Sequence, residues 1–417
     1  MARAPNASKQ LTTRCAIAGG GPAGVMLGYL LARAGVDVVV LEKHADFFRD
    51  FRGDTVHPST LTVMQELGLL ERFLQRPHQE LRRIGLDIGG RTYQVVDFRG
   101  FPPEARRVVL MPQWDFLDFL AQEARRLPTF RLLMEAQVEA LTERDGAVTG
   151  LMAQTADGPL TVAADLVVGA DGRDSVVRDQ AGFALRKLSV PIDVLWIRVS
   201  KQPGDPETTL GRIEHGRVLI TIDRGDYWQC AFLIRKGALD DIRRQGLQAL
   251  RDEIAVAAPY MKARLEEIAD WDAVKLLTVR VERLERWARQ GLICIGDAAH
   301  AMSPVGGVGI NLALQDAVAA ANLLAAPLRA GAPSLAQLER VQARREWPTK
   351  VVQGFQTFAH DKVLSRLLGH DRPMATWPFK LLDAAPPLRS LPARFIGLGP
   401  RPEHISPGLA ELFKTAA

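Results

Sequence analysis

The run Ile17-Ala18-Gly19-Gly20-Gly21-Pro22-Ala23-Gly24 leaves this chain few ways to fold. Glycines 19, 21 and 24 stand between an apolar strand and an amphipathic helix, the spacing of a dinucleotide-binding turn. Pro22 lies where the first helical turn tolerates proline, because its missing amide proton would have no partner. Val25, Met26, Tyr29 and Leu30 give the helix an inner side, and Gly35 can end it. Val36 to Leu41 is almost wholly apolar, as in a parallel strand covered on both faces. Residues 15–42 therefore read as β-α-β. The turn lets backbone approach a pyrophosphate, and the helix start offers amide protons and positive dipole charge. Glu42, ending the second strand, can accept hydrogen bonds from ribose hydroxyls and would repel a ribose phosphate.

The remaining 375 or so residues divide by pattern, an estimate that follows from the 417-residue total. Helices are expected over Pro58–Gly68 and Gln113–Leu127, and a hairpin turn at Asp145-Gly146. Leu166–Gly169 and Leu292–Ile295 are short buried strands, the first ending at Ala170-Asp171-Gly172 and the second at Gly296-Asp297. Between them, Ile192–Val199, Arg217–Ile222 and Asp226–Ile234 alternate like antiparallel strands, followed by helix over 239–268 and a possible return to the sheet at Leu276–Val281. A long helix runs from Asn311 to Ala326, with Pro327 as its stop. Another starts at Ser334 and is broken or kinked at Pro348. The proline-rich tail from Arg372 is expected to wrap over the body as short helices and turns, with Trp377, Pro378, Phe379, Leu381 and Leu382 packed rather than touching a membrane.

The fold class is α/β: a Rossmann-like binding domain from 1–80, 112–186 and 282–330, an inserted mostly antiparallel β-sheet substrate domain from 81–111 and 187–281, and C-terminal helices within 331–417. The net charge of +5 is modest and scattered, which argues against nucleic acid. Cys15, Cys230 and Cys294 read as buried reduced thiols, suiting the cytoplasm. Met1–Thr13 lacks a signal-peptide core, and no apolar run approaches the ~20 residues of a membrane span. No metal site and no stable membrane insertion are expected.

The segment Gly296-Asp297-Ala298-Ala299-His300 precedes Ser303-Pro304-Val305-Gly306-Gly307-Val308-Gly309-Ile310-Asn311. Asp297 falls at a strand's C-terminal edge, where open α/β sheets bind ligands. It can hold sugar-chain hydroxyls or simply cap a helix. Glycines 306, 307 and 309 let backbone amides meet a planar ring, with the positive end of the following helix aimed at it.

With Gly169-Ala170-Asp171-Gly172, Ser175 and Arg178, these segments occur in the order found in flavoprotein monooxygenases of the para-hydroxybenzoate hydroxylase superfamily, which residues 15–325 resemble. The resemblance implies FAD, with NADPH or NADH as transient electron donor. It puts Gly19, Gly21, Pro22, Ala23 and Gly24 at the pyrophosphate, and Glu42 with Lys43 near the adenosine. Arg52 and Gln113 match further FAD contacts. Asp171, Gly172 and Arg178 belong to a segment associated with both FAD and NAD(P)H, and Gly296 and Asp297 meet the ribityl chain. Pro304, Gly306, Gly307, Gly309, Ile310 and Asn311 surround the flavin ring. The implied activity is hydroxylation of an aromatic or polyketide-like small molecule by O2 through a flavin hydroperoxide, in a monomer or homodimer.

The rival readings are a flavin dehydrogenase or reductase of a hydrophobic substrate, a halogenase of the same fold, and a non-catalytic FAD-binding redox sensor. No two tryptophans stand two apart, so the halogenase Trp-x-Trp-x-x-Pro segment is missing. The substrate base is not read from the sequence. His57, Arg212, His215, Tyr227 and Trp228 are candidate wall or proton-handling residues, each more simply read as structural. His300 reads as structural or flavin-adjacent.

Overall fold

The computed structural model describes residues 9–48, 55–206, 210–364 and 377–416. Five parallel strands form the heart of the larger sheet: β1 (Lys9–Ala18), β2 (Val38–Leu41), β3 (Phe130–Leu133), β4 (Gly158–Gly169) and β5 (Leu292–Cys294). Their order is β3-β2-β1-β4-β5, with Cys15 opposite Val38 on one side and Leu166 on the other. The order reverses between β1 and β4, so their C-terminal ends flank a switch-point crevice. β1 begins earlier than its apolar run, because Lys9–Thr13 extends the ladder along Leu160–Ala164 with Lys9, Gln10 and Thr12 exposed and the Thr13 hydroxyl bonded to the Asp37 carbonyl.

One face of this sheet is covered by α1 (Pro22–Arg33), α3 (Gln113–Ala124) and α4 (Gly309–Ala330), and α2 (Pro58–Glu66) packs on the same cluster. The hairpin Gln137–Arg144 and Ala147–Thr155 turns at Asp145 and Gly146, both at positive φ. It helps cover the opposite face together with Trp287. α4 is long and apolar enough to suggest a membrane span, yet most of it is enclosed by protein.

Two proline expectations are overturned. α4 continues through Pro327 to Ala330, and α5 (Leu335–Phe358) runs unbroken through Pro348. A proline forfeits one helical hydrogen bond. Here Leu324, Ala325 and Leu328 around the first, and Arg345, Thr349 and Val352 around the second, are buried, so packing outweighs the loss. Ser334 and Gln337 form a capping box at the start of α5.

The second sheet has seven strands in the order Lys275–Leu277, Ile192–Ser200, Tyr227–Arg235, Arg217–Asp223, Leu210–Glu214, Arg83–Ile88, Arg91–Asp97; the pair 210–214 with 83–88 is its parallel step. Alternation divides it. Leu195, Ile197, Leu219, Trp228, Cys230 and Phe232 face the helices Leu239–Gln245 and Leu247–Ala257. Val194, Val218, Ala231, Leu233, Tyr93 and Val95 face Phe98, Val305 and Ile396. The tail forms short helices Trp377–Ala384, Ser390–Gly397 and Pro407–Ala416. Phe379 and Leu382 pack on the second sheet, whereas Trp377 is 74% exposed and Leu381 44%, against the packed expectation for both.

Candidate functional site

Three loops leave the C-terminal edges of β1, β4 and β5, and their glycines bring them together. A Cβ on Gly19, whose φ is +105°, would stand 2.3 Å from the Ala170 carbonyl oxygen. One on Gly24 would stand 2.0 Å from the Gly19 carbonyl oxygen. One on Gly296 would meet Ala23 Cβ at 3.1 Å and Ala313 Cβ at 3.3 Å. These glycines fit loop to loop. Gly21 is different: the nearest atom to its Cβ position is the Ala170 oxygen, at 4.0 Å. Gly21 also caps α1 with no side-chain hydrogen bond, and Pro22 opens the helix. The turn therefore leaves free space beside a helix start, the arrangement a pyrophosphate needs.

Glu42 is nearly buried, and its carboxylate accepts from the Gly20 amide at 2.9 Å and the His44 amide at 3.1 Å. It fixes the glycine turn from the neighbouring strand. Lys43 beside it is exposed. Arg52 lies outside the described residues. Gln113 opens α3 behind Pro112.

Asp171 turns into its own loop. It accepts from Ser175 Oγ at 2.5 Å and from the Val177 amide at 3.1 Å, while Ser175 Oγ in turn caps Arg178. Burial pushes the Asp171 carboxyl up despite these bonds. Gly172 makes the turn at φ +88°, and Arg178 is buried with Nε on Asp179 at 3.0 Å. Asp297, by contrast, is partly open and accepts from Arg173 Nε at 3.1 Å, which ties the β4 and β5 loops together.

Beyond β5 the ring-side loop is gripped from three directions. Gly306 and Gly307 have φ of +82° and +62°. Thr55 Oγ1 donates to the Gly307 carbonyl at 3.0 Å, and a Cβ on Gly307 would meet that hydroxyl. Asn311 uses its whole amide internally: Nδ2 donates to the Thr55 and Gly307 carbonyls, and Oδ1 accepts from the His57 amide and Thr60 Oγ1. From α5, Gln356 Nε2 donates to the Ser303 and Val305 carbonyls, and His360 Nε2 pairs with Ser303 Oγ at 2.9 Å. Pro304 and Ile310 are half-buried, Gly306 is exposed, and Gly309 starts α4.

His300 is structural. Its Nε2 is 2.5 Å from Asp316 Oδ2, which also accepts from the Gly296 amide at 3.1 Å. Arg345 Nε donates to Asp316 Oδ1 at 3.0 Å, and its Nη1 donates to Glu403 in the tail at 3.1 Å. Burial would raise the Asp316 carboxyl, but His300 and Arg345 hold it below the ordinary carboxylate value.

Among the candidate wall residues, only His57 joins this site. Trp228 is buried on the helix-covered face, with Nε1 on Asp205 at 2.8 Å. Arg212 pairs with Asp87 and lies over Tyr260 on that side. His215 makes an exposed hairpin turn at φ +43°, and Tyr227 lies under Arg198. Thr55, Asp316, Arg345, Gln356 and Glu403 were missed. One signal was available: a lone aspartate within the apolar run of α4 demands a buried partner.

The sequence matches the model of an FAD binding domain over residues 12–354. It is 33% identical over 383 residues to 6-methylpretetramide 4-monooxygenase of Streptomyces rimosus, covering 91% of each chain. The fold is that of p-nitrophenol 4-monooxygenase PnpA from Pseudomonas putida DLL-E4 (TM-score 0.75, 18% identity, 94% of this chain and 100% of that one). It is also that of OxyS anhydrotetracycline hydroxylase from Streptomyces rimosus (TM-score 0.70, 22% identity, 93% and 76%). The crevice, its glycine contacts and these likenesses agree: the chain belongs to the class A FAD-dependent monooxygenases that act on aromatic and polyketide-like compounds.

Proposed function

We propose that the open space at Gly21 and the start of α1 receive the FAD pyrophosphate, with Pro22, Ala23 and Gly24 forming the cradle. Glu42 would hold the adenosine ribose, Asp297 the ribityl chain, and the loop from Pro304 to Ile310 the flavin ring. The observation that carries this is the contrast among the glycines. Gly19, Gly24 and Gly296 are filled by neighbouring protein, whereas Gly21 is left open. Bound FAD supplies the electron transfer from NADPH or NADH and the activation of O2.

The chain's own residues then orient and shield. Asn311 and Thr55 fix the glycine loop without spending their polar atoms on the ligand. Arg173 covers Asp297 and would have to yield part of that carboxylate to sugar hydroxyls. The apolar face carrying Val194, Leu233 and Tyr93 opposes Val305 and excludes water from the substrate. That face suits a fused-ring phenol of polyketide type, in keeping with the relative named for 6-methylpretetramide. The three free, buried cysteines suit a reducing cytoplasm.

The test is a purified protein that is yellow, with up to one FAD per chain. A panel of polyketide phenols is then screened for faster NAD(P)H oxidation, with mass analysis for one added oxygen. Colourless protein that rejects added FAD refutes the reading.

A further inference from the structure

His57 lies between the ring-side loop and the C-terminal tail, bonded to Asn311 on one side and to Ile396 on the other. Its amide donates to Asn311 Oδ1, and Nδ2 of the same side chain donates to the Gly307 carbonyl, so the residue is tied to the ring-side loop. The residue is buried, and Nδ1 lies 2.8 Å from the Ile396 carbonyl oxygen. A carbonyl only accepts, so Nδ1 carries the proton and Nε2 presents a lone pair. Nε2 has no hydrogen-bond partner among the described residues, and it is not one of the polar atoms sealed from solvent without one. The surroundings are apolar: Phe98 and Pro58 both crowd Gly397, and Ile396 packs toward the second sheet. Burial holds the imidazole pKa down to about 4, so the ring is neutral at working pH.

We propose that His57 Nε2 accepts the hydrogen bond of a phenolic hydroxyl on the substrate, fixing which ring carbon meets the oxidant. This rests on the reading above that a phenol lies on this face. In the bound substrate the proton stays on oxygen, because a phenol, with a pKa of about 10, does not ionise to so weak a base. Its acidity changes as the new C–O bond forms. A ring π pair makes that bond to the terminal oxygen of the hydroperoxide oxidant as its O–O bond breaks, the O–O pair leaving with the other oxygen, which ends as water, and the phenol becomes a protonated dienone. The O–H proton then passes to Nε2, and the pair it leaves stays on oxygen as a lone pair of the neutral dienone. As the ring hydrogen leaves to water as a proton, its C–H pair restores the aromatic ring, the C=O π pair returns to oxygen, and Nε2 hands its proton back to that oxygen to give the neutral product. The balance is that of the family reaction: substrate, O2, NAD(P)H and a proton give hydroxylated product, NAD(P)+ and water.

The test compares naphthol with its methyl ether, each titrated into the oxidised holoenzyme without NAD(P)H and followed by flavin absorbance. The wild type should prefer naphthol about tenfold, the size of one buried hydrogen bond. In His57→Asn the amide N–H keeps the Ile396 bond while the second nitrogen is gone. This variant should retain FAD and its thermal midpoint but bind both probes with the ether's affinity. In wild-type enzyme labelled with nitrogen-15 histidine, the Nε2 signal should move on adding naphthol and not the ether, a readout that needs no variant. A wild type without preference, a variant that keeps the preference, or an unmoved Nε2 signal overturns the assignment. If NAD(P)H oxidation still responds to phenols, His57 falls and the monooxygenase site stands.

Discussion

Replacing Asp316 by asparagine keeps the volume of the side chain and removes its charge. Three donors converge on this fully buried carboxylate: His300 Nε2 at 2.5 Å, the Gly296 amide at 3.1 Å and Arg345 Nε at 3.0 Å. Asparagine offers one oxygen and one NH2 group, so in either orientation a donor faces a donor. With its oxygen toward Gly296 it abandons Arg345; turned round, it abandons Gly296. Removing one partner of a buried ion pair costs ~3–5 kcal/mol. Arg345 still holds Glu403 and the Arg401 carbonyl, so the lower end, ~3 kcal/mol, is expected. At ~2 °C per kcal/mol for a large chain, the thermal midpoint should fall by ~6 °C. FAD should also be held several-fold more weakly, because the Gly296 amide orients the turn that carries Asp297. Differential scanning fluorimetry of apoprotein and a fluorescence titration with FAD measure the two effects. A midpoint within ~2 °C of the parent with unchanged FAD affinity would refute the claim that this carboxylate anchors the loop.

Four further outcomes rest on the same geometry. Gly24→Ala forces a methyl onto the Gly19 carbonyl and should cost ~1–3 kcal/mol in the apoprotein. Gly21→Ala should leave apoprotein stability alone and weaken FAD at least about tenfold; equal behaviour of the two variants in melting and FAD titration would reject the division of roles. Asp297→Ala breaks only a partly exposed pair with Arg173, worth ~1 kcal/mol at most, yet should strongly reduce FAD retention on a desalting column; parental retention would remove that carboxylate from the site. On acidification, the stability from Asp316, and from Asp205, whose own burial is outweighed by Arg264 so that its pKa is held at about 2, is fully present above the ordinary carboxylate pKa near ~3.9. It should be lost as pH falls below that value, and an acid melt with no added loss between about pH 4 and pH 2 would contradict these ion pairs.

What the sequence made legible was local. Gly19 to Glu42 carries its structure in a strand, a turn and a helix whose patterns lie within one stretch, and the hairpin at Asp145-Gly146 is similarly self-contained. The two glycine-aspartate segments could be placed because each ends a short apolar strand. The proline expectations failed for the converse reason. Pro327 and Pro348 are helix breakers by intrinsic preference, but their helices are held by burial against distant elements.

The supports of the site are long-range in the same sense. Thr55 meets Gly307 across 252 positions, and Arg345 joins Asp316 to Glu403 across 29 and 58. No spacing rule links such residues, so a sequence shows the loops that face the ligand and hides the side chains that hold those loops still. Asp316 marks the limit of that blindness. Its carboxylate is surrounded in sequence by alanine and leucine, where an unpaired charge could not be buried, so a cationic partner from elsewhere in the fold was required. The partner is an arginine on α5 whose second bond reaches the tail, which makes the C-terminal segment part of the mounting of the β5 loop. Truncation of the chain before Glu403 should therefore act on FAD retention as well as on stability, although among the described residues the proposed cradle draws none from the tail.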